Sequence, residues 1–306
     1  MPRVAFSRLM KDAEARGYAV GYFESWSMES LSAVADAAEA ARSPVILGFS
    51  GIALPRPDRQ MPEHLQDYAA LGAAVCERLS VPACLLFNES PSEAWVLDAV
   101  RRGFDLVMYA DEGADYRALV DVTTRVCAAA HAAGHAVEGE PHSLPGLAGD
   151  LVDAPGERHL TDPQRARDFA AATGIDAIAV NVGQAHLHGR GEVRLDLDRL
   201  AGLRRAVDVP LVLHGATSVS RDDLREAIRR GVRKVNVGSA MKRACIEAMR
   251  TSLAGTGEVY NPYEVVGSGT DQDVMMACRR AIQGVVREYV GLFGSAGKAD
   301  GFPRSP

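Results

Sequence analysis

The sequence predicts an α/β fold, a closed (β/α)8 TIM barrel with extra helices at its N- and C-terminal ends. Three observations lead there. Short apolar runs alternate with amphipathic, Ala/Arg/Glu-rich stretches along all 306 residues, which implies parallel βαβ units. The runs are nearly continuous in apolar residues, as strands covered on both faces are. Eight such units in a chain of this length fit a closed barrel. An open doubly wound sheet is the alternative arrangement of the same units, and the strand count favours the barrel.

The expected strands are Tyr18–Phe23, Pro44–Ser50, Ala83–Asn88, Leu106–Ala110, Ala136–Glu140, Ala177–Val182, Pro210–His214 and Lys234–Gly238. Between them, Leu31–Ala41, Tyr116–Ala133, Arg165–Ala172 and Arg221–Arg230 carry helical periodicity. Thr161-Asp162-Pro163 reads as a helix start, with cap residues just before a proline. Ser218 to Asp223 places hydroxyls and carboxylates at another start. Gly103, Gly174 and Gly231 each close a helical pattern before a strand. The Gly/Pro/Asp-rich stretch Pro141–Leu160 follows the fifth strand and is expected to form a lid over the barrel mouth. A terminal helix is expected at Val274–Phe293, within a helical extension from about residue 271 to 306. One domain is expected to span residues 1–306.

Composition narrows the function. With 47% hydrophobic and 24% charged residues the chain can bury a large core. Net charge is −6, from 34 basic and 40 acidic residues. No basic block stands out, so nucleic acid is not the expected partner. No apolar run reaches the length of a membrane span. Met1 to Lys11 lacks the apolar core of a signal peptide. The five cysteines form no C-x-x-C pair and read as reduced, buried thiols of a cytoplasmic protein.

In a barrel, function sits where strands end. Those ends carry Glu24, Ser50, Asn88, Glu89, Glu140, His186, His214, Asn236 and Ser239. A lone strand-end histidine more often caps a loop than binds a ligand. His186 and His214 at adjacent strand ends, with carboxylates nearby, favour a divalent metal, and imidazole suits zinc. His188 and His142 read as solvated loop residues. The runs Leu213 to Ser218 and Val235 to Ala240 pass from strand to helix through small and hydroxyl residues. Backbone N–H groups at such starts bind phosphate, although plain turn chemistry uses the same residues.

These strings resemble the class II, zinc-dependent ketose-bisphosphate aldolases, the fructose- and tagatose-bisphosphate enzymes. Gly17 to Phe23, Ser43 to Gly48, Val137-Glu138-Gly139-Glu140, Thr173 to Asp176, Pro210 to Thr217, Lys234 to Val237 and the tail Phe293 to Ala299 carry the likeness almost from end to end. The resemblance implies that His186 and His214 are two of three zinc ligands and that Glu140 is a metal-site glutamate. It implies that Asn236 contacts the dihydroxyacetone-phosphate enediolate. Gly183, Gly215, Thr217, Gly238 and Ser239 fall in the phosphate loops, and Ser50 matches a mouth serine. Arg279 matches an arginine that reaches the distal phosphate from a neighbouring subunit, and Arg190 matches a lysine. A homodimer or homotetramer is implied.

The departures are as informative. The family's third strand ends His-x-Asp-His-Gly; here Leu86-Phe87-Asn88-Glu89-Ser90 stands in its place. Asn88 replaces a proton-transferring aspartate, and an amide cannot take that proton. Glu89 replaces the first zinc histidine and is expected to take over as a carboxylate ligand. Neighbours on a strand point to opposite faces, so only one of the two is expected to face the metal. Glu24 stands where the family has asparagine, and Glu24, Glu89 or an acid of the loop, where Asp150, Asp153 and Glu157 lie, is the candidate base. The expected activity is metal-dependent aldol or retro-aldol cleavage of a phosphorylated ketose other than fructose 1,6-bisphosphate. Isomerisation or epimerisation through an enediolate, and a non-catalytic aldolase-like subunit, are the alternatives.

Overall fold

The computed structural model describes residues 3–142, 160–185 and 192–303. Eight parallel strands close on themselves in sequence order. They are β1 (Val20–Ser25), β2 (Val45–Ser50), β3 (Ala83–Ser90), β4 (Leu106–Tyr109), β5 (Ala136–Gly139), β6 (Ala177–Ala179), β7 (Leu211–Leu213) and β8 (Val232–Val237). The ring closes where β1 pairs with β8, with Tyr22 opposite Asn236. Closure rules out the open sheet.

Among the described residues the helices are α1 (Phe6–Arg16), α2 (Met28–Ala40), α3 (Leu65–Arg78), α4 (Glu93–Arg101), α5 (Tyr116–Ala132), α6 (Pro163–Thr173), α7 (Leu197–Ala206), α8 (Arg221–Arg229), α9 (Ser239–Ala254), α10 (Pro262–Val265) and α11 (Val274–Phe293). Local chemistry sets their ends. The Asp162 side chain accepts from Arg165 N–H to start α6, with proline at its first turn, and Gly174 closes it at φ 73°. Ser220 caps α8 through the Asp223 N–H. Helix α11 has the bounds its apolar periodicity predicts.

Two apolar layers result. Val20, Ile46, Leu86, Leu106, Met108 and Val212 fill the barrel bore, which α1 plugs from below with Phe6, Leu9 and Met10. The outward faces of the strands pack on the helices. Strand β2 carries Gly48 because β3 leaves no room there: a Cβ would stand 2.0 Å from the Leu86 carbonyl oxygen. Among the described residues, no helix is long and apolar enough to cross a membrane.

One sequence reading needs correction here. Cys245 on α9 and Cys278 on α11 form a disulfide, with their Cα atoms 4.4 Å apart. The two helices cross closely, and a separation of 33 residues hides that proximity in the sequence. Cys76, Cys84 and Cys127 are the buried free thiols that were expected. Burial raises all three, Cys76 and Cys127 to about 12.

Candidate active site

Strand β3 supplies the first part of the site, and its end is irregular. The β3–β4 register shifts between Phe87 and Ser90, and Glu89 takes a left-handed backbone with φ 54°. That conformation is uncommon for a non-glycine residue and often marks a functional bulge. It overturns the expectation that Asn88 and Glu89 point apart. Both side chains are buried, and Asn88 Nδ2 donates to Glu89 Oε2. The alternation of a regular strand does not survive a bulge.

From Glu89 a chain of hydrogen bonds and one ion pair runs across the barrel. Glu89 Oε1 lies 2.9 Å from His214 Nδ1. His214 Nε2 lies 2.7 Å from Glu138 Oε1. Glu138 Oε2 stands 2.8 Å from Lys234 Nζ, which donates to Asn236 Oδ1 at 2.6 Å. Strands β3, β5 and β8 and the residue just past β7 each contribute. Burial works against charge on His214, but Glu89 and Glu138 overcome it and raise the imidazole to about 10. Burial likewise opposes ionisation of Glu138, and Lys234 with His214 holds its carboxyl below 4.5. The charges therefore alternate in sign along the chain, and each buried ion has a partner.

The remaining predicted residues lie around this chain. Glu140 is buried just past β5. Ser50 ends β2 opposite Asn88, and its hydroxyl accepts from Ala53 N–H at 3.3 Å. Gly183, at φ 118°, follows β6, and its N–H donates to Asn181 Oδ1 at 2.9 Å. Gly215, at φ 64°, opens a short 3-10 turn over Ala216–Ser218. In that turn Thr217 lines a surface cleft with Tyr289 of α11. Gly238 and Ser239 form the start of α9.

Glu24, inside β1, pairs with Lys242 on the first turn of α9, and Lys242 Nζ sits 5.8 Å from the Trp26 ring centre. A Cβ at Gly238 would stand 3.1 Å from Glu24 Oε2. The Glu24 carboxylate thus lies over the N-terminus of α9, where backbone N–H groups favour an anion. Arg279 is not brought to the mouth within one chain. Its guanidinium bonds Asp36 of α2 through Nε at 2.9 Å.

His186, His188, Arg190 and most of the expected lid lie outside the described residues. The described residues contain no cluster of three metal-ligating side chains. Sequence reasoning passed over Glu138 and Lys234, which the structure places in this buried chain. The available signal was charge: Glu138 stands within the short, otherwise uncharged β5, and Lys234 lies inside β8 rather than at its end.

A family model of class-II fructose-bisphosphate aldolase matches residues 4–298. The chain belongs to that aldolase family. A fructose-bisphosphate aldolase of Thermus caldophilus is 31% identical over 314 residues, covering 95% of this chain and 98% of the relative. The crystal structure of the YdjI aldolase from Escherichia coli K12 superposes with a TM-score of 0.77 at 27% identity, over 97% of this chain and 99% of that one. A fructose-bisphosphate aldolase from Campylobacter jejuni shares the fold, with a TM-score of 0.77 at 18% identity over 97% of each chain. At the corresponding strand ends this chain carries a histidine past β7, an asparagine on β8, and an amide and a carboxylate at the end of β3.

Proposed function

We propose that this protein is a metal-dependent carbon–carbon lyase that makes or breaks the aldol bond of a phosphorylated ketose other than fructose 1,6-bisphosphate. The observation that carries the reading is the chain from Glu89 through His214, Glu138 and Lys234 to Asn236. It gathers on one mouth an imidazole, carboxylates and an amide suited to an α-hydroxyketone.

The donor set suits a divalent metal such as zinc. His214 Nδ1 and Glu89 Oε1 face each other at 2.9 Å. Together they would hold the metal, an imidazole nitrogen and a carboxylate oxygen being common zinc donors. His186 would be the third ligand, and Glu140 an alternate one. Such a metal, when bound, supplies Lewis-acid polarisation of the ketone oxygen.

The chain's own residues do the rest. Glu138 holds His214 Nε2 and so fixes which ring nitrogen faces Glu89. The starts of α9 and of the 3-10 turn, with Gly183, Gly215, Thr217, Gly238 and Ser239, offer donors to a substrate phosphate. In the cleavage direction a base takes the proton of the hydroxyl on the carbon being released. The carbon–carbon bond then breaks, and its electron pair passes to the ketone fragment, which is later protonated on carbon. Asn88 cannot take the first proton. Glu24, at the mouth beside the phosphate end, is the acid–base group in this reading. Within a homo-oligomer, Arg279 would leave Asp36 for the phosphate of a neighbouring site.

The test is a screen of phosphorylated ketoses for cleavage, with metal content measured on the same preparation. Slow or absent cleavage of fructose 1,6-bisphosphate, with brisk cleavage of another phosphorylated ketose, is expected. Metal content should fall in the His186→Ala/His214→Ala variant. Brisk wild-type turnover of fructose 1,6-bisphosphate would overturn the substrate reading. Unchanged metal content in the double variant would overturn the ligand assignment.

A further inference from the structure

Tyr22 and Asn236 are opposite each other in the β1–β8 pairing. Register partners on adjacent strands share a face and stand about 4.8 Å apart in the backbone. Both side chains are buried, at 1% and 8% exposure. Yet Tyr22 Oη and Asn236 Nδ2 have no hydrogen-bond partner among the described residues. A buried donor without a partner lowers stability, and native proteins keep few of them.

The orientation of the Asn236 amide is set by chemistry. Lys234 Nζ, 2.6 Å from it, is an ammonium with donors only. The amide atom facing Lys234 must therefore be the oxygen, which leaves Nδ2 as the free end. Lys234 Nζ also stands 5.3 Å from the centre of the Tyr22 ring, a cation–π contact that holds the phenol beside the same ammonium. Tyr22 keeps its proton: burial first, then the charges of Glu24, Glu89 and Glu138, push the phenol well above 10. Two unused groups thus sit on neighbouring strands at the mouth, and both are donors.

We propose that Tyr22 Oη and Asn236 Nδ2 are paired donors for one substrate oxygen, the ketone oxygen on which negative charge develops as the carbon–carbon bond breaks. This rests on the aldolase reading above and adds Tyr22 as a catalytic residue. Donors placed in advance at a developing oxyanion, in a site closed to water, stabilise the transition state more than the ground state. The resting enzyme tolerates the unsatisfied pair because the substrate completes it.

The experiment uses Tyr22→Phe, which keeps the ring and removes one oxygen. Dihydroxyacetone phosphate is the probe, and exchange of its C3 proton with deuterium in D2O is followed by NMR. Exchange reports formation of the enediolate without a second substrate. The expected result is exchange about 100-fold slower at saturation, with KM little changed, and a Tm equal to or above that of the wild type. An unchanged exchange rate overturns the proposal. So does a Tm lowered by several degrees, since it would mean that the hydroxyl is already satisfied inside the protein. If the wild type catalyses no exchange at all, the aldolase reading fails for this ketose, and the Tm comparison alone decides whether Tyr22 is a free donor.

Discussion

Asn88 and Glu89 are chain neighbours whose side chains hydrogen-bond to each other, because the left-handed backbone at Glu89 breaks the side-to-side alternation of β3 at that point. The pair therefore behaves as one unit. Asn88→Asp alone would place two carboxylates in contact in a buried site. It is expected to destabilise the protein by about 2–4 kcal/mol and to raise the pKa of one of the two acids. Asn88→Asp with Glu89→His removes the clash and is expected to gain cleavage of fructose 1,6-bisphosphate that neither single change gives. Denaturant unfolding and turnover of the three variants check this. Additive effects of the two changes would show that the side chains do not interact.

The Glu138–Lys234 ion pair has no accessible side-chain surface. Lys234→Met leaves a buried carboxylate with a weaker set of partners and is expected to cost about 3–5 kcal/mol. Adding Glu138→Gln should restore part of that loss. The sign with pH follows from the depressed carboxyl of Glu138. Its contribution to stability is present above the unfolded pKa, near 4.5, and is lost as pH falls through the folded value. The double variant should therefore show a flatter loss of stability between pH 5 and about 2, measured by urea unfolding at several pH values.

Glu24 holds a negative charge over the start of α9, balanced by Lys242. Glu24→Gln removes a like charge from the anion-receiving end. Inorganic phosphate is expected to bind several-fold more tightly to this variant by calorimetry. Turnover should fall nonetheless if Glu24 carries the proton. Lys242→Ala should weaken phosphate binding. Weaker phosphate binding in Glu24→Gln would mean that the carboxylate organises the site rather than competing for it.

The Cys245–Cys278 bond closes a loop with a sequence separation of 33. Loss of the bond, by reduction or by Cys245→Ser/Cys278→Ser, is expected to cost about 2–4 kcal/mol. Thiol titration of the denatured, unreduced protein should find three groups, since Cys76, Cys84 and Cys127 are free. Five titrating thiols would show that the bond does not form.

The barrel was legible because both-face burial makes each strand an apolar run, and because caps such as Asp162, Gly174 and Ser220 punctuate the helices. His214, Glu89 and Asn236 were legible from their places at strand ends. The bulge at Glu89 was not, since a glutamate gives no signal of a left-handed backbone. Nor were Glu138 and Lys234 as a pair: their contact exists only once β5 and β8 line one bore. Side chains with two possible partners were also hidden. Arg279 turns to Asp36 because helix α11 packs on α2, and strand-end reasoning does not see that outer helix. The thiol reading of Cys245 and Cys278 failed for a similar reason, because one turn on each of two distant helices decides it.

Lys234 reaches Glu138 from β8, the last strand of the barrel to be made. A nascent chain that has completed only β1 to β7 has two carboxylates, Glu89 and Glu138, sharing one imidazole and no ammonium beside them. Burying Glu138 at that stage carries the desolvation cost of an ion without its main counter-charge. The incomplete barrel is thereby kept from settling into a closed, water-free imitation of the native fold. Its final strand brings both the last two backbone ladders, to β7 and to β1, and the missing positive charge, so closure and neutralisation are coupled.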